Sequence, residues 1–281
     1  MPALRTCIER LYLEVFPVRG IEKELLTLPD EAYIGITCSP RQGLDVTLEL
    51  VEKLQGHDFH LVPHIAARQV RNRGHLRDIV ARLRDQGVES MFVPGGDIPE
   101  PVGAFDSSLA LLRELAELDH GLQHIGVAAH PEGHPTIDDD TLYQCLRDKQ
   151  ELANYLVTQM CFDPRVLVDW LTRVREQGIH LPAWIGLPGV MNRMKLFRTS
   201  LRIGVGESAR FARQQGGLAG RLLRSSNYSP DEIVDGLAPA IREQRLGIDG
   251  FYLFSFNQVD DTIAWRDDLL GTLSAPDAAV C

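Results

Sequence analysis

At 281 residues, with 44% hydrophobic and 24% charged, the chain suits one globular domain (1–281) that buries a large core without staples. A net charge of -10 argues against a nucleic-acid-binding surface, which needs the opposite sign. Five scattered cysteines (Cys7, Cys38, Cys145, Cys161, Cys281) without CxxC pairing read as reduced thiols, and Arg5, Glu9 and Arg10 stand where a signal peptide would be apolar. No apolar run approaches the ~20 residues of a membrane helix, so the expectation is a cytoplasmic protein with no membrane partner.

Eight short apolar runs follow in order, at 11–17, 32–38, 59–65, 90–96, 124–130, 155–161, 182–188 and 250–256. Most are continuously apolar, as suits parallel strands covered on both faces by helices. The first, LYLEVFP, holds Glu14 on the opposite face from Leu13 and Val15, pointing into a closed sheet. A carboxyl buried there without a cation has a raised pKa and can act as a general acid. The other reading is a structural carboxylate paired with Arg19 or Lys23. The second run ends at Thr37 and the third at His64, each weak evidence alone; an isolated His64 reads as a satisfied core histidine.

After the fourth run come Gly95-Gly96-Asp97. The glycines allow close approach of a flat ligand and Asp97 sets a charge beside it, or else caps a turn. The fifth run leads into His130-Pro131-Glu132-Gly133-His134. Four-residue spacing of two histidines suggests a metal only on a helix, which the prolines and glycine forbid, so no metal site is expected. Gln159 ends the sixth run; its amide suits a heterocycle edge or braces the strand. Asn257 follows the last. Polar groups at nearly every strand end point to an enzyme, because barrel enzymes place their sites there.

Between the runs, segments such as HLRDIVARLRDQG and DPRVLVDWLTRVREQG repeat apolar residues at threes and fours, with stops at Gly87 and Gly178 and an Asp163-Pro164 start. Eight strands alternating with helices give a closed barrel or an open doubly wound sheet; the count favours a (β/α)8 barrel in a single domain. The connection from Pro188 to Gly250 is long enough for extra helices between strands 7 and 8. Gly204-Val205-Gly206 within it hints at a phosphate cradle but reads better as a turn and cap.

Taken together, LEVFPVR (13–19), ITC (36–38), VPHIAAR (62–68), GGDIP (95–99), VAAHPEGHP (127–135), DKQELANYLVTQMCFD (148–163) and FYLFSFNQ (251–258) resemble the methylenetetrahydrofolate reductase family, in the family's order. The resemblance implies a (β/α)8 barrel with FAD across its C-terminal mouth, reduced by NADH or NADPH, and a folate substrate reduced over the same face. Glu14 then takes the general acid's place and Asp97 that of the aspartate between flavin and pterin. Gln159 falls where the family contacts the pterin. Thr37, His64, Gly96, Asp97, His134 and, with a one-residue gap, Lys149 fall where it contacts FAD. Four positions depart from typical bacterial members. Gly95 replaces an arginine, His130 a flavin-contacting tyrosine, Arg193 and Met194 a stacking phenylalanine, and Gln258 an arginine. The expected activity is reduction of 5,10-methylenetetrahydrofolate to 5-methyltetrahydrofolate, in one-carbon metabolism and methionine biosynthesis, with a homo-oligomer as one possible assembly. The rivals are a flavin oxidoreductase of the same fold with another substrate or donor, and a non-catalytic folate-binding or methyl-transfer subunit.

Overall fold

The computed structural model describes residues 2–202 and 227–274. Eight strands carry the sheet: β1 (Tyr12–Val15), β2 (Tyr33–Ile36), β3 (His60–Pro63), β4 (Ser90–Val93), β5 (His124–Ala129), β6 (Tyr155–Thr158), β7 (Ala183–Pro188) and β8 (Ile248–Phe254). All are parallel, in the order β3-β2-β1-β8-β7-β6-β5-β4. A parallel bridge from His64 to Phe92 joins the two ends, with Ile65 N donating to Phe92 O at 2.8 Å and Ala67 N to Pro94 O at 3.0 Å. The result is a nearly closed (β/α)8 barrel.

All but β8 are shorter than the apolar runs, and proline accounts for several of the ends. Pro63 and Pro188 are the last residues of β3 and β7, while Pro17 and Pro94 lie just past β1 and β4. A residue with no N–H cannot continue the ladder.

Helices wrap the sheet: α1 (Pro2–Glu9), α2 (Ile21–Leu25), α3 (Gly43–Lys53), α4 (Arg73–Asp85), α5 (Ser108–Ala116), α6 (Asp139–Lys149), α7 (Pro164–Glu176), α8 (Arg193–Arg202), α9 (Asp231–Glu243) and α10 (Val259–Ser274). Side-chain caps start five of them, Asn192 accepting from Met194 N and Lys195 N ahead of α8. Asn72, Ser107, Asp138 and Asp163 accept from the N–H groups of His75, Ala110, Thr141 and Arg165, each cap worth about 1 kcal/mol. Among the described residues, α8 and α9 lie between β7 and β8, and an antiparallel pair of Met191–Asn192 with Asn227–Tyr228 leads into them. The Gly204-Gly206 segment lies outside the described residues.

Strand alternation sorts the core into two layers. Leu13, Val15, Ile34 and Ile36 face outward into the packing with the helices. Tyr12, Val62, Phe92, Tyr155, Val157, Trp184 and Tyr252 fill the interior, an unusually aromatic plug. Some of its rings meet edge-on, Tyr12 and Trp184 at 4.5 Å between centroids, and others stack, Tyr12 and Tyr252 at 5.8 Å. This plug is the floor on which the mouth of the barrel is built.

Candidate active site

Glu14 is the third residue of β1, level with Gly35 of β2 and Phe254 of β8. It shares the inward face with Tyr12 and is only 6% exposed. Its neighbours are polar but uncharged. His64, just past β3, brings Nε2 to 3.9 Å from Glu14 Oε2 and to 2.6 Å from the Tyr252 hydroxyl. That hydroxyl is also within hydrogen-bonding reach of Glu14. Space for it exists because β2 has glycine at 35, where a Cβ would overlap the hydroxyl. Arg19 and Lys23 form no ion pair with Glu14, so the structural alternative lacks its partner.

Burial therefore dominates the protonation of this group. It pushes the Glu14 carboxyl up to about 8, against a smaller downward pull from the Tyr252 hydroxyl. The same burial holds the His64 imidazole down to about 3, and raises the Tyr252 phenol well above its ordinary value. Near neutrality the site holds a protonated carboxyl, a neutral imidazole and a neutral phenol. That is a proton donor in a dry pocket.

The ends of β1 and β8 are tied directly above it. The Asn257 side chain accepts from Phe16 N at 2.7 Å and donates to Phe16 O at 3.1 Å, and Ser255 Oγ donates to the Glu14 carbonyl. Both Phe256 (φ 52) and Asn257 (φ 61) adopt the left-handed region, which is strained for a ring-bearing side chain. The turn places the Phe256 ring beside Phe16, with centroids 6.3 Å apart.

The other predicted residues lie around the same end of the barrel. Thr37 N donates to Val15 O at 2.9 Å; its side chain is buried, and Oγ1 has no hydrogen-bond partner. Gly96 has φ +99 and a would-be Cβ 3.2 Å from Ala66, so the turn before Asp97 demands glycine. Asp97 itself is exposed on the rim. Its loop is held by Arg68, whose guanidinium donates to the carbonyls of Ile98 (2.9 Å), Asp106 (2.9 Å) and Pro99. After β5, the His130 and His134 rings stand edge-to-face at 5.1 Å. Burial, then His134 and Lys149, hold His130 down to about 4, and burial lowers Lys149 as well. Two imidazoles and one ammonium thus gather at this edge of the mouth, His130 staying neutral near neutrality. Among the described residues no three His, Cys, Asp or Glu side chains gather as a metal site.

Gln159 turns its Oε1 back to accept from Met160 N at 2.8 Å, the bracing geometry. Gln258 begins the turn into α10, its carbonyl accepting from Thr262 N at 3.1 Å. Arg193 is engaged locally: Nε donates to Asn227 O at 3.1 Å and the guanidinium lies 5.7 Å from the Tyr228 ring. Met194, 55% exposed, contributes no buried contact.

Sequence reasoning missed Tyr252, Arg68 and Phe256. Tyr252 reads as one more apolar strand residue; its only signal is period-two alternation putting it on the face of Phe254. A cavity of about 360 Å³ bounded by Glu9, Arg10, Tyr33 and Arg266 lies at the N-terminal end of the strands, away from Glu14's mouth. Barrel chemistry resides at the other end, so the cavity is not taken as the site. No described helix is long and apolar enough to cross a membrane.

Comparison with known proteins gives the family and the fold. Residues 24–203 match the family described as methylenetetrahydrofolate reductase. A curated relative, methylenetetrahydrofolate reductase 1 of Schizosaccharomyces pombe, is 41% identical over 69 residues, covering 24% of this chain but only 11% of the yeast protein. Among solved structures, the apo-form of a putative deoxyribose-phosphate aldolase from Toxoplasma gondii ME49 superposes with TM-score 0.51 at 11% identity, over 95% of this chain and 97% of that one. At that identity the likeness speaks for the barrel alone.

Proposed function

This chain belongs to the methylenetetrahydrofolate reductase family, and from that premise we propose that it is a single-domain flavoenzyme reducing 5,10-methylenetetrahydrofolate to 5-methyltetrahydrofolate. The observation carrying the proposal is Glu14: a buried carboxyl, free of any cation, kept protonated near neutrality inside the catalytic end of the barrel. Binding alone does not need a proton donor. Ring opening of the methylene bridge does, since protonating the bridging folate nitrogen converts the bridge into a reactive iminium.

Residues around the mouth fit a flavin. Thr37 Oγ1 is a buried hydroxyl with no partner in the protein, a cost of about 1–3 kcal/mol that a ligand hydrogen bond would remove. Gly96 keeps the β4 turn free of a side chain, and Lys149, near the neutral His130, supplies a cation suited to an anionic cofactor, with His130 and His134 as hydrogen-bonding partners for it. These residues would hold FAD, which when bound supplies the hydride, drawn from NADH or NADPH. Asp97, on the rim, would place negative charge beside the cationic iminium. Gln159, Arg193, Met194 and Gln258 would border the substrate. Arg193 does so while bracing the Asn227–Tyr228 segment.

Anaerobic half-reactions of Glu14→Gln test this. The variant is expected to bind FAD and accept electrons from the nicotinamide donor, yet to pass them to methylenetetrahydrofolate about 10²–10⁴-fold more slowly. Folate reduction within a few-fold of wild type removes Glu14 as the acid. A wild-type protein that takes up no FAD removes the flavin.

A further inference from the structure

The Tyr252 hydroxyl has one proton and two neighbours that want it. His64 Nε2 lies 2.6 Å away, and the Glu14 carboxyl is the hydroxyl's second polar neighbour. His64 and Glu14 are themselves 3.9 Å apart, beyond a direct hydrogen bond, so the hydroxyl is their link. All three are buried, so an acceptor left without its donor is costly.

We propose that Tyr252 and His64 are positioning residues that set, by competing for this one hydroxyl proton, the pH at which Glu14 gives up its own. With Glu14 protonated, the chain runs in one direction: Glu14 O–H donates to the Tyr252 oxygen, and Tyr252 O–H donates to neutral His64 Nε2. Every proton has an acceptor. When Glu14 ionises, Tyr252 must turn its proton to the carboxylate, and His64 Nε2, with the ring proton held on Nδ1, loses its donor. The imidazole therefore favours the loaded form of the acid, and the phenol, freed from it, favours the spent form. Burial keeps His64 neutral, and Nε2 is its acceptor when the ring proton sits on Nδ1.

No other titratable group intervenes. β2 presents Gly35 at this level, and the neighbouring titratable groups of the interior are His64 past β3, Tyr252 of β8, Tyr12 of β1 and Tyr155 of β6, the last two acting on Tyr252. The fold makes room for this arrangement specifically, since any side chain at Gly35 would displace the hydroxyl.

The inference rests on Glu14 being the acid, and its test separates the two claims. The Glu14 midpoint is read directly, from the protonated-carboxyl infrared band during a pH titration, alongside the pH profile of folate reduction. Tyr252→Phe removes the donor to the carboxylate and is expected to raise the midpoint by about one pH unit; His64→Leu leaves Tyr252 free to serve Glu14 and lowers it by a similar amount. The double variant follows Tyr252→Phe, because His64 acts only through the hydroxyl. Site-specific 3-fluorotyrosine at 252 keeps the ring packed, makes the hydroxyl a better donor and lowers the midpoint, covering the case where a substitution unfolds the interior. Shifts in the same direction for both single variants, or an additive double variant, overturn the proposal, as does a midpoint unmoved by fluorotyrosine. Midpoints that move as expected while the folate profile does not follow sustain the chain and remove Glu14 from the chemistry.

Discussion

At the scale of single residues the site depends on an absence as much as on its acids. Gly35 is the position where β2 yields space to the Tyr252 hydroxyl. Gly35→Ala therefore overpacks a closed interior and should destabilise by about 1–3 kcal/mol, measured by denaturant unfolding. Adding Tyr252→Phe removes the nearest atom but leaves Tyr252 Cζ at 2.9 Å from the new Cβ, so the loss should be recovered only in part. A Gly35→Ala protein as stable as wild type would mean the interior is loose at this level. Glu14 could be picked out of the sequence because it is a charge inside an apolar run. Tyr252 could not, because an aromatic in a strand carries no mark of its partner, and His64 lies 188 residues away.

At the scale of elements, the C-terminal loops are rigid where a cation pins them. Arg68 extends from the turn after β3 and donates to three carbonyls of the loop that follows Asp97. A planar guanidinium satisfies several acceptors at fixed angles, which a lysine cannot. Arg68→Ala should raise hydrogen exchange across residues 98–106 and weaken folate reduction through Asp97, with little loss of global stability. Arg68→Lys should rescue neither. Unchanged exchange in that loop would show that the Gly95 and Gly96 backbone holds it without help. The eight strands themselves were legible because buried parallel strands need unbroken apolar runs, and so was Asp163-Pro164 as a helix start. Their ends were overrun by several residues, since apolar character continues past the proline that ends the hydrogen bonds. Helix α1 and the Met191–Asn192 pair left no signal: the first is short and the second is defined only by its distant partner.

At the scale of the whole molecule, a barrel that seals ionisable groups in its mouth makes stability a function of pH with a definite shape. His64 and His130 have native pKa values depressed from 6.5 to about 3 and about 4. The unfolded chain therefore binds protons that the native state refuses, and stability falls as pH drops below 6.5. Glu14 acts in the opposite sense. Its native pKa stands at about 8 against an ordinary 4.5, so the native state keeps a proton the unfolded chain has released. The stability that proton confers is full below 4.5 and is lost as pH rises through about 8. Between 4.5 and 6.5 the two histidines outweigh the one carboxyl, and the net slope remains upward. Above 6.5 the contribution of the histidines fades and Glu14 sets the slope, with a net loss of about 1 kcal/mol by pH 8 at about 1.4 kcal/mol per pH unit for one full proton. Maximum stability is thus expected near pH 6.5, as measured by guanidinium unfolding from pH 5 to 8.5. Glu14→Gln should flatten the limb from 6.5 to 8 and leave the acid limb to the histidines. A wild-type limb that is already flat would mean that Glu14 ionises in the native state at its ordinary pH, and the buried proton donor would be lost with it.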